Sequence, residues 1–244
     1  MWLNLMTVYL FLFLIFLVAG FTQGVTGFGF GLLAIPLLSL LIDIKTAVPL
    51  CSLLGILITA FLSLRLRKHI DRRKIMPLLF GCIPGVAAGT LVLKKAPTTL
   101  LSLLMGVMLV AYSLYRLTVR QQPHNIDEKW AYVAGFFTGA ISSAFSAGGP
   151  PTIIYTTLRG WDKDGIKATL SGFFLAGGLI VITAHALTGL TTGLVLHYFL
   201  LSVPVVVAGV FIGSLLYDRI DTGSYLRLLQ FLLLVMGFLM IIKN

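Results

Sequence analysis

Two stretches of glycine, proline and hydroxyl side chains interrupt the apolar segments of this chain, at residues 22–31 and 138–152. Glycine permits backbone dihedral angles that other residues avoid, and proline removes a backbone N–H donor, so each stretch predicts a break in a helix. A broken helix presents unpaired N–H groups at the start of its second half, and these groups attract anions. The composition of both stretches therefore predicts a site for a small, negatively charged solute.

The candidate substrate-binding residues come from both stretches. In this prediction, backbone N–H groups around Gly27–Phe28 and Gly148–Gly149 hold the oxygen atoms of the anion, and neutral side chains add further hydrogen bonds. The full set is Gln23, Thr26, Gly27, Phe28, Ser142, Ser143, Ser146, Gly148 and Gly149. The alternative is that the small residues of both stretches only allow helices to pack closely.

The apolar segments around these stretches have the composition of transmembrane helices. Hydrophobic residues make up 58% of the 244 residues, charged residues make up only 11%, and the mean hydropathy is +1.02. A soluble domain carries about 25% charged residues, so the chain is predicted to be an all-α polytopic membrane protein. The predicted segments are 3–21, 26–42, 46–64, 75–93, 98–117, 130–146, 149–159, 168–187, 194–216 and 226–242.

One pair of segments is too short for two membrane crossings. A full span needs about 20 residues, which neither 130–146 nor 149–159 reaches. We therefore expect this pair to form a helical hairpin whose tip stops inside the membrane.

The net charge of +10 comes from short loops and not from a nucleic-acid-binding patch. Placing the basic loop at residues 65–74 in the cytoplasm puts 14 of the 18 Lys and Arg residues on that side, as the positive-inside rule describes. We therefore expect both termini outside a bacterial-type inner membrane, and no nucleic-acid partner. Residues 1–20 lack the basic region of a cleaved signal peptide and are expected to be a retained transmembrane helix.

Side chains suited to catalysis or metal binding are sparse in these segments. Each of the eight acidic residues falls in a loop or at a segment end, which argues against an intramembrane proton relay or cation site. Cys51 and Cys82 are interpreted as small apolar residues at different depths, without a disulfide. His185 and His197, near the outer ends of adjacent spans, are interpreted as interfacial side chains, with the alternative that they titrate or line an exit. No catalytic residue, metal or cofactor is expected, and the protein is not predicted to be an enzyme.

A weak internal repeat relates the two halves of the chain. Gly20–Gly24 matches Gly135–Gly139 at an offset of 115 residues, and each half places a glycine-rich hairpin before three ordinary spans. The loop at 65–74 is strongly basic whereas its counterpart in the second half is uncharged, so equivalent loops are expected on opposite sides of the membrane. We predict an inverted repeat of two five-segment halves, residues 1–120 and 121–244, within one membrane domain. Chance similarity between glycine-rich helices is the alternative.

At the two breaks the chain resembles the TauE/SafE family of membrane transporters. The resemblance rests on Gly24 through Leu38 and on Gly139 through Pro150, with Lys45–Val48 and Gly165–Thr169 similar to the segments that follow each hairpin. The pattern of apolar segments fits over nearly the whole chain. The resemblance implies export of sulfite or organic sulfonates, or of other small organic anions.

These features together predict an exporter that moves a small anion of the sulfite or sulfonate class across the lipid bilayer by alternating access. The anion would bind between the two hairpin tips. A non-transporting membrane scaffold, in which both breaks serve only helix packing, is the alternative. A second copy of the chain, which would form a homodimer, is a further candidate partner.

Overall fold

A computed structural model describes residues 2–65, 70–119, 126–161 and 163–243 of the chain. These residues form one short 3₁₀ turn, Tyr217–Arg219, and ten α-helices: α1 (Trp2–Thr26), α2 (Phe30–Leu38), α3 (Ile44–Arg65), α4 (Arg72–Lys95), α5 (Thr98–Thr118), α6 (Trp130–Phe145), α7 (Gly149–Leu158), α8 (Lys163–Leu187), α9 (Gly193–Leu215) and α10 (Thr222–Ile242). The all-helical prediction is thus confirmed for the described residues. Seven of the helices, all except α2, α6 and α7, are long and apolar enough to cross a membrane.

The two glycine-rich stretches break the helices over fewer residues than predicted. α1 continues through Gly24 to Thr26, so the first break covers only residues 27–29. α6 likewise continues to Phe145, and the second break covers only residues 146–148. The segment predicted at 26–42 is shortened to the nine residues of α2.

The glycines that stay helical bring helix backbones into contact. A Cβ atom added at Gly24 would lie 2.5 Å from the Val210 carbonyl oxygen of α9, and one at Gly139 would meet the Cys82 carbonyl oxygen of α4. Neither position has room for a side chain, so the small residue is needed for packing and not for unwinding. For this part of each stretch the close-packing alternative is the correct one.

Helices of the first half of the chain pack mainly on helices of the second half. α1 lies against α9, α4 against α6, α3 against α8, and α5 against α10. Buried aliphatic and aromatic side chains fill the space between them, including Leu12, Phe16 and Leu54. This arrangement places the short hairpins α1–α2 and α6–α7 between the long helices.

Acidic side chains lie at helix ends and in turns of the described residues, as predicted. Asp221 begins α10, where its carboxylate accepts hydrogen bonds from the backbone N–H groups of Gly223 and Ser224, each at 3.2 Å. Hydrogen bonds from the side chain and backbone of Ser224 and the backbone of Gly223 hold the pKa of Asp221 below its usual value. The cap is therefore present at neutral pH and is lost only as the pH falls through that lowered pKa. Residues 66–69 of the basic loop, 120–125 of the connector, and Asp162 lie outside the described residues.

Candidate functional site

The first break turns the chain from α1 into α2 within three residues. Gly27 and Gly29 have φ angles of 81° and 98°, a region that glycine adopts without steric cost. The Thr26 hydroxyl oxygen lies 2.6 Å from the Phe28 carbonyl oxygen and closes this turn. Gln23, one turn earlier on α1, accepts a hydrogen bond at its Oε1 from the backbone N–H of Phe30, at 3.2 Å.

The second break turns α6 into α7 through a strained residue. Ser146 has a φ angle of 52°, a positive value that no other non-glycine residue shows in the described part of the chain. Its N–H donates to the Ser142 carbonyl oxygen at 2.7 Å. A Cβ atom at Gly148 would meet the Ser142 hydroxyl and the Thr138 carbonyl oxygen, so the turn has no room for a larger residue there.

The two hairpin tips meet. A Cβ atom at Gly31, in the first turn of α2, would collide with the Ser146 carbonyl oxygen of the second break. The Phe28 ring lies 3.6 Å from the position that a Cβ on Gly149 would take. Ser52 of α3 donates from its hydroxyl to the Ser146 hydroxyl oxygen at 3.4 Å. The breaks therefore form the walls of one space.

That space is a cavity of about 100 Å³. Its walls come from both hairpin tips, from α3 and α8, and from Cys82 of α4. Among the described residues that line it there is no Asp, Glu, Lys, Arg or His. Its polar groups are hydroxyls, the Gln23 amide and backbone atoms, and the aromatic rings of Phe28, Phe30 and Phe173 form much of the rest.

The two short helices contribute unequal numbers of N–H donors. Gly31 and Leu32 line the cavity at the start of α2, and their N–H groups have no carbonyl one turn earlier in the helix to bond to. In α7, Pro150 and Pro151 follow Gly149 and carry no N–H at all. The start of α2 therefore has more N–H donors to contribute to the partial positive charge of a helix N-terminus than the start of α7 has.

The structure brings together six of the candidate residues: Gln23, Phe28, Ser142, Ser146, Gly148 and Gly149 line the cavity. Thr26, Gly27 and Ser143 are absent from its lining. Thr26 closes the first turn, and Gly27 lies against the Lys167 side chain, where an added Cβ atom would be 3.1 Å from Lys167 Cγ. Ser143 points elsewhere, toward Thr90 and His185.

Two ordinary spans supply lining residues outside the predicted set. α3 contributes Ser52, Gly55 and Thr59, and α8 contributes the pair Gly177 and Gly178. On α3 these residues recur at intervals of three and four, which places them on one face of the helix. A run of small and hydroxyl residues along one face of an otherwise apolar span is the signal that could have found them.

Both cysteines line the same cavity, which the sequence does not predict. Cys51 and Cys82 are free thiols, in agreement with the expected lack of a disulfide. The Cys82 sulfur lies 3.4 Å from the position that a Cβ on Gly177 would take. The thiols add weakly polar surface and no charge to the cavity wall.

Comparison with known proteins gives one match. A family model described as "Sulfite exporter TauE/SafE" matches residues 12–240. No curated protein and no solved structure matches the chain.

Proposed function

Because the chain belongs to the TauE/SafE family, we propose that it exports small anions, sulfite or organic sulfonates, from a bacterial-type cell by alternating access. The family is one of sulfite exporters, and the chain is a multi-pass membrane protein with seven candidate spans. The choice of substrate, the direction of transport and the mechanism are the proposal.

The observation that carries the proposal is an uncharged cavity at the point where two interrupted helices meet. Gly31 and Leu32, whose N–H groups have no carbonyl one turn earlier in α2, line this cavity together with Ser52 and Ser146, whose hydroxyl oxygens lie 3.4 Å apart. Donors of this kind stabilise an anion through dipoles. Because no buried cation binds the anion, release stays feasible. For an anion that crosses without a proton, the membrane potential, negative inside, favours exit by about 2.3 kcal/mol per charge at about 100 mV.

The packing of the helices supports an inverted repeat. If α1–α5 correspond to α6–α10, exchanging the halves converts the contact between α1 and α9 into the contact between α6 and α4, and both are present. The contacts of α3 with α8 and of α5 with α10 map onto themselves. Inverted repeats around a central site allow one half to rock against the other, which exposes the site to each side in turn.

Gly55 offers a test that leaves the fold intact. It lines the cavity, and a Cβ atom added there meets nothing within 4 Å. Leucine also has a higher helix propensity than glycine, by about 1 kcal/mol. Gly55→Leu is therefore expected to fill the cavity and reduce the rate of sulfite or sulfonate flux in liposomes by at least about tenfold, without lowering thermal stability.

Gly193 provides the matched control. It begins α9, outside the cavity lining, and a Cβ atom there also meets nothing within 4 Å. Gly193→Leu should leave flux unchanged. Unimpaired flux in Gly55→Leu would refute this cavity as the transport site, and an absence of sulfite and sulfonate flux in the unaltered protein would refute the proposed function.

A further inference from the structure

A histidine expected at the membrane interface is instead completely buried. His185 of α8 has 0% of its surface exposed. Its Nε2 lies 2.9 Å from the Ser143 carbonyl oxygen of α6. The Ser143 hydroxyl in turn lies 2.6 Å from the Thr90 hydroxyl of α4. The three side chains join three helices in one buried polar cluster.

The geometry assigns the proton of the neutral imidazole. A carbonyl oxygen can only accept a hydrogen bond, so Nε2 carries the hydrogen and Nδ1 has a free lone pair. Nδ1 is buried and has no hydrogen-bond partner among the described residues. A buried acceptor of this kind is costly to leave unpaired, and buried ionisable groups within membranes commonly have a function.

The cluster is connected to the anion cavity along two helices. Ser143 lies on the last turn of α6, three residues before Ser146, which lines the cavity. Val181 also lines the cavity, and His185 lies four residues further along the same face of α8, about 6 Å along the axis. A change of charge at His185 therefore acts on both walls of the cavity.

The charged side chains described near the cluster are lysines, and none of the described side chains there is a carboxylate that could balance a positive charge on His185. Lys94 of α4 donates from Nζ to the Thr188 carbonyl oxygen at 2.9 Å, just beyond the end of α8. Lys45, in the first turn of α3, donates from Nζ to the Lys94 carbonyl oxygen at 3.3 Å. Cys51 of α3 and Cys82 of α4 are the titratable groups on the cavity wall. On α6 and α7, the described residues between Ala134 and Ile153 include no titratable side chain. No described carboxylate lies on these helices facing His185.

We propose that His185 is a proton-binding site coupled to the anion site; this inference rests on the proposed function. Protonation of His185 and binding of an anion in the cavity then favour each other. A proton from water binds the lone pair on Nδ1, and the imidazole gains one positive charge; on release the proton returns to water. The anion in the cavity supplies the negative charge that the surrounding helices lack. Such coupling is reciprocal, so each ligand raises the affinity for the other by the same factor.

The experiment follows protons and sulfonate together. The full-length protein is placed in liposomes with a pH-sensitive dye inside, and a methanesulfonate gradient is imposed. Methanesulfonate is the probe because the sulfonate of a strong acid does not itself take up protons in this range. For the unaltered protein we expect about one proton to move with each sulfonate, and sulfonate affinity to rise about tenfold from about pH 8 to about pH 5.5.

In His185→Gln, the glutamine side chain retains an N–H that can reach the Ser143 carbonyl oxygen, but this side chain cannot bind or release a proton. We expect its proton-to-sulfonate ratio to fall to near zero and its sulfonate affinity to lose the pH dependence. His197→Gln is the control, since His197 is exposed on α9, 3.5 Å from the Tyr9 hydroxyl, and outside the cavity. That variant should keep the ratio and the pH profile of the unaltered protein.

The outcomes separate the coupling from the transport itself. Exchange of radiolabelled methanesulfonate at equal concentrations on both sides needs no net proton movement. If the unaltered protein exchanges methanesulfonate but moves no protons under the imposed gradient, or if His185→Gln keeps an unchanged ratio, the coupling is overturned and the transporter assignment stands. No exchange at all overturns both. If His185→Gln does not fold, Thr90→Val is measured in its place. Loss of the hydroxyl that holds Ser143 should shift the pH dependence of sulfonate affinity. An unshifted pH dependence overturns the coupling.

Discussion

Gln23 combines a structural role with a position in the cavity wall. Its Oε1 accepts the hydrogen bond from the Phe30 N–H at 3.2 Å and so fixes the start of α2. The same side chain lines the cavity in which an anion is proposed to bind. Glutamate has the same length and can accept the same hydrogen bond, so an exchange of Gln for Glu keeps this bond, replaces the amide N–H donors by an acceptor oxygen and adds a negative charge.

Gln23→Glu should therefore impair transport through charge. At an effective dielectric constant of about 20, two like charges about 4 Å apart repel by about 4 kcal/mol. We expect the apparent affinity for sulfite or sulfonate to fall by at least about tenfold, as measured by the concentration dependence of flux in liposomes.

Gln23→Leu separates charge from the hydrogen bond to Phe30. It removes the acceptor without adding a carboxylate, so its affinity should lie between those of the unaltered protein and Gln23→Glu. If the leucine variant is impaired as strongly as the glutamate variant, the cavity does not bind an anion beside Gln23.

At the scale of single residues, the sequence predicts the two stretches that form the cavity more accurately than it predicts which of their side chains line it. Ser143 and Ser146 are three residues apart, yet Ser146 lines the cavity while Ser143 bonds to Thr90 and His185. The difference arises because Ser146 adopts a left-handed conformation at the end of α6. The sequence signals a break here, but the residue at which the helix ends depends on the packing of α6 against α4. His185 lies in the last turn of α8, near the end of its span as predicted, but its complete burial is not predicted, because that burial depends on two helices distant in sequence.

At the scale of helices, the same residue type serves two opposed purposes. Gly27 and Gly29 unwind the chain with positive φ angles, whereas Gly24 stays helical against α9. Glycine composition predicts both outcomes equally well. What decides between them is whether another helix backbone comes close enough to require a residue without a side chain.

The contact between α4 and α6 gives a prediction about stability. A Cβ atom at Gly85 of α4 would collide with the Phe136 carbonyl oxygen of α6, and Gly81 and Gly89 face α6 in the same way. Overpacking costs about 1–3 kcal/mol where side chains can adjust, and more where a backbone must move. Gly85→Leu is therefore expected to lower the thermal denaturation midpoint of the detergent-purified protein.

Gly55→Leu is the comparison for this effect, because its added side chain enters open space. It should lose transport and keep its denaturation midpoint, whereas Gly85→Leu should lose stability first. Equal denaturation midpoints for Gly85→Leu and the unaltered protein would show that α4 and α6 do not pack as closely as described.

At the scale of the whole molecule, pairs of glycines mark two of the contacts between the halves, those of α1 with α9 and of α4 with α6. Gly209 and Gly213 of α9 face the carbonyl oxygens of Leu17 and Phe21 on α1, as Gly85 and Gly89 of α4 face α6. The sequence predicts that α1 and α6 correspond, from the glycines they share. It does not predict that α4 and α9 are their partners, because pairing between distant helices depends on the shapes of both surfaces.

The distribution of basic residues predicts the orientation of this whole assembly in the membrane. The loops that are proposed to face the cytoplasm hold 14 of the 18 Lys and Arg residues, which include Arg72, Arg73 and Lys74 at the start of α4. Basic residues near span ends stay on the cytoplasmic side during insertion. Alkaline phosphatase, which is active only outside the cytoplasm, should be active when fused after Asn244. It should be inactive when fused within residues 120–125.

A green fluorescent protein fused at the same two points provides the converse control, since it should fluoresce only at residues 120–125. The opposite pattern from both reporters would place the basic loops outside. The membrane potential, negative inside, drives an anion that crosses alone outward, whichever way the protein is inserted. The orientation of the protein decides which end of the cavity must open for the anion to bind inside the cell and which must open for it to leave.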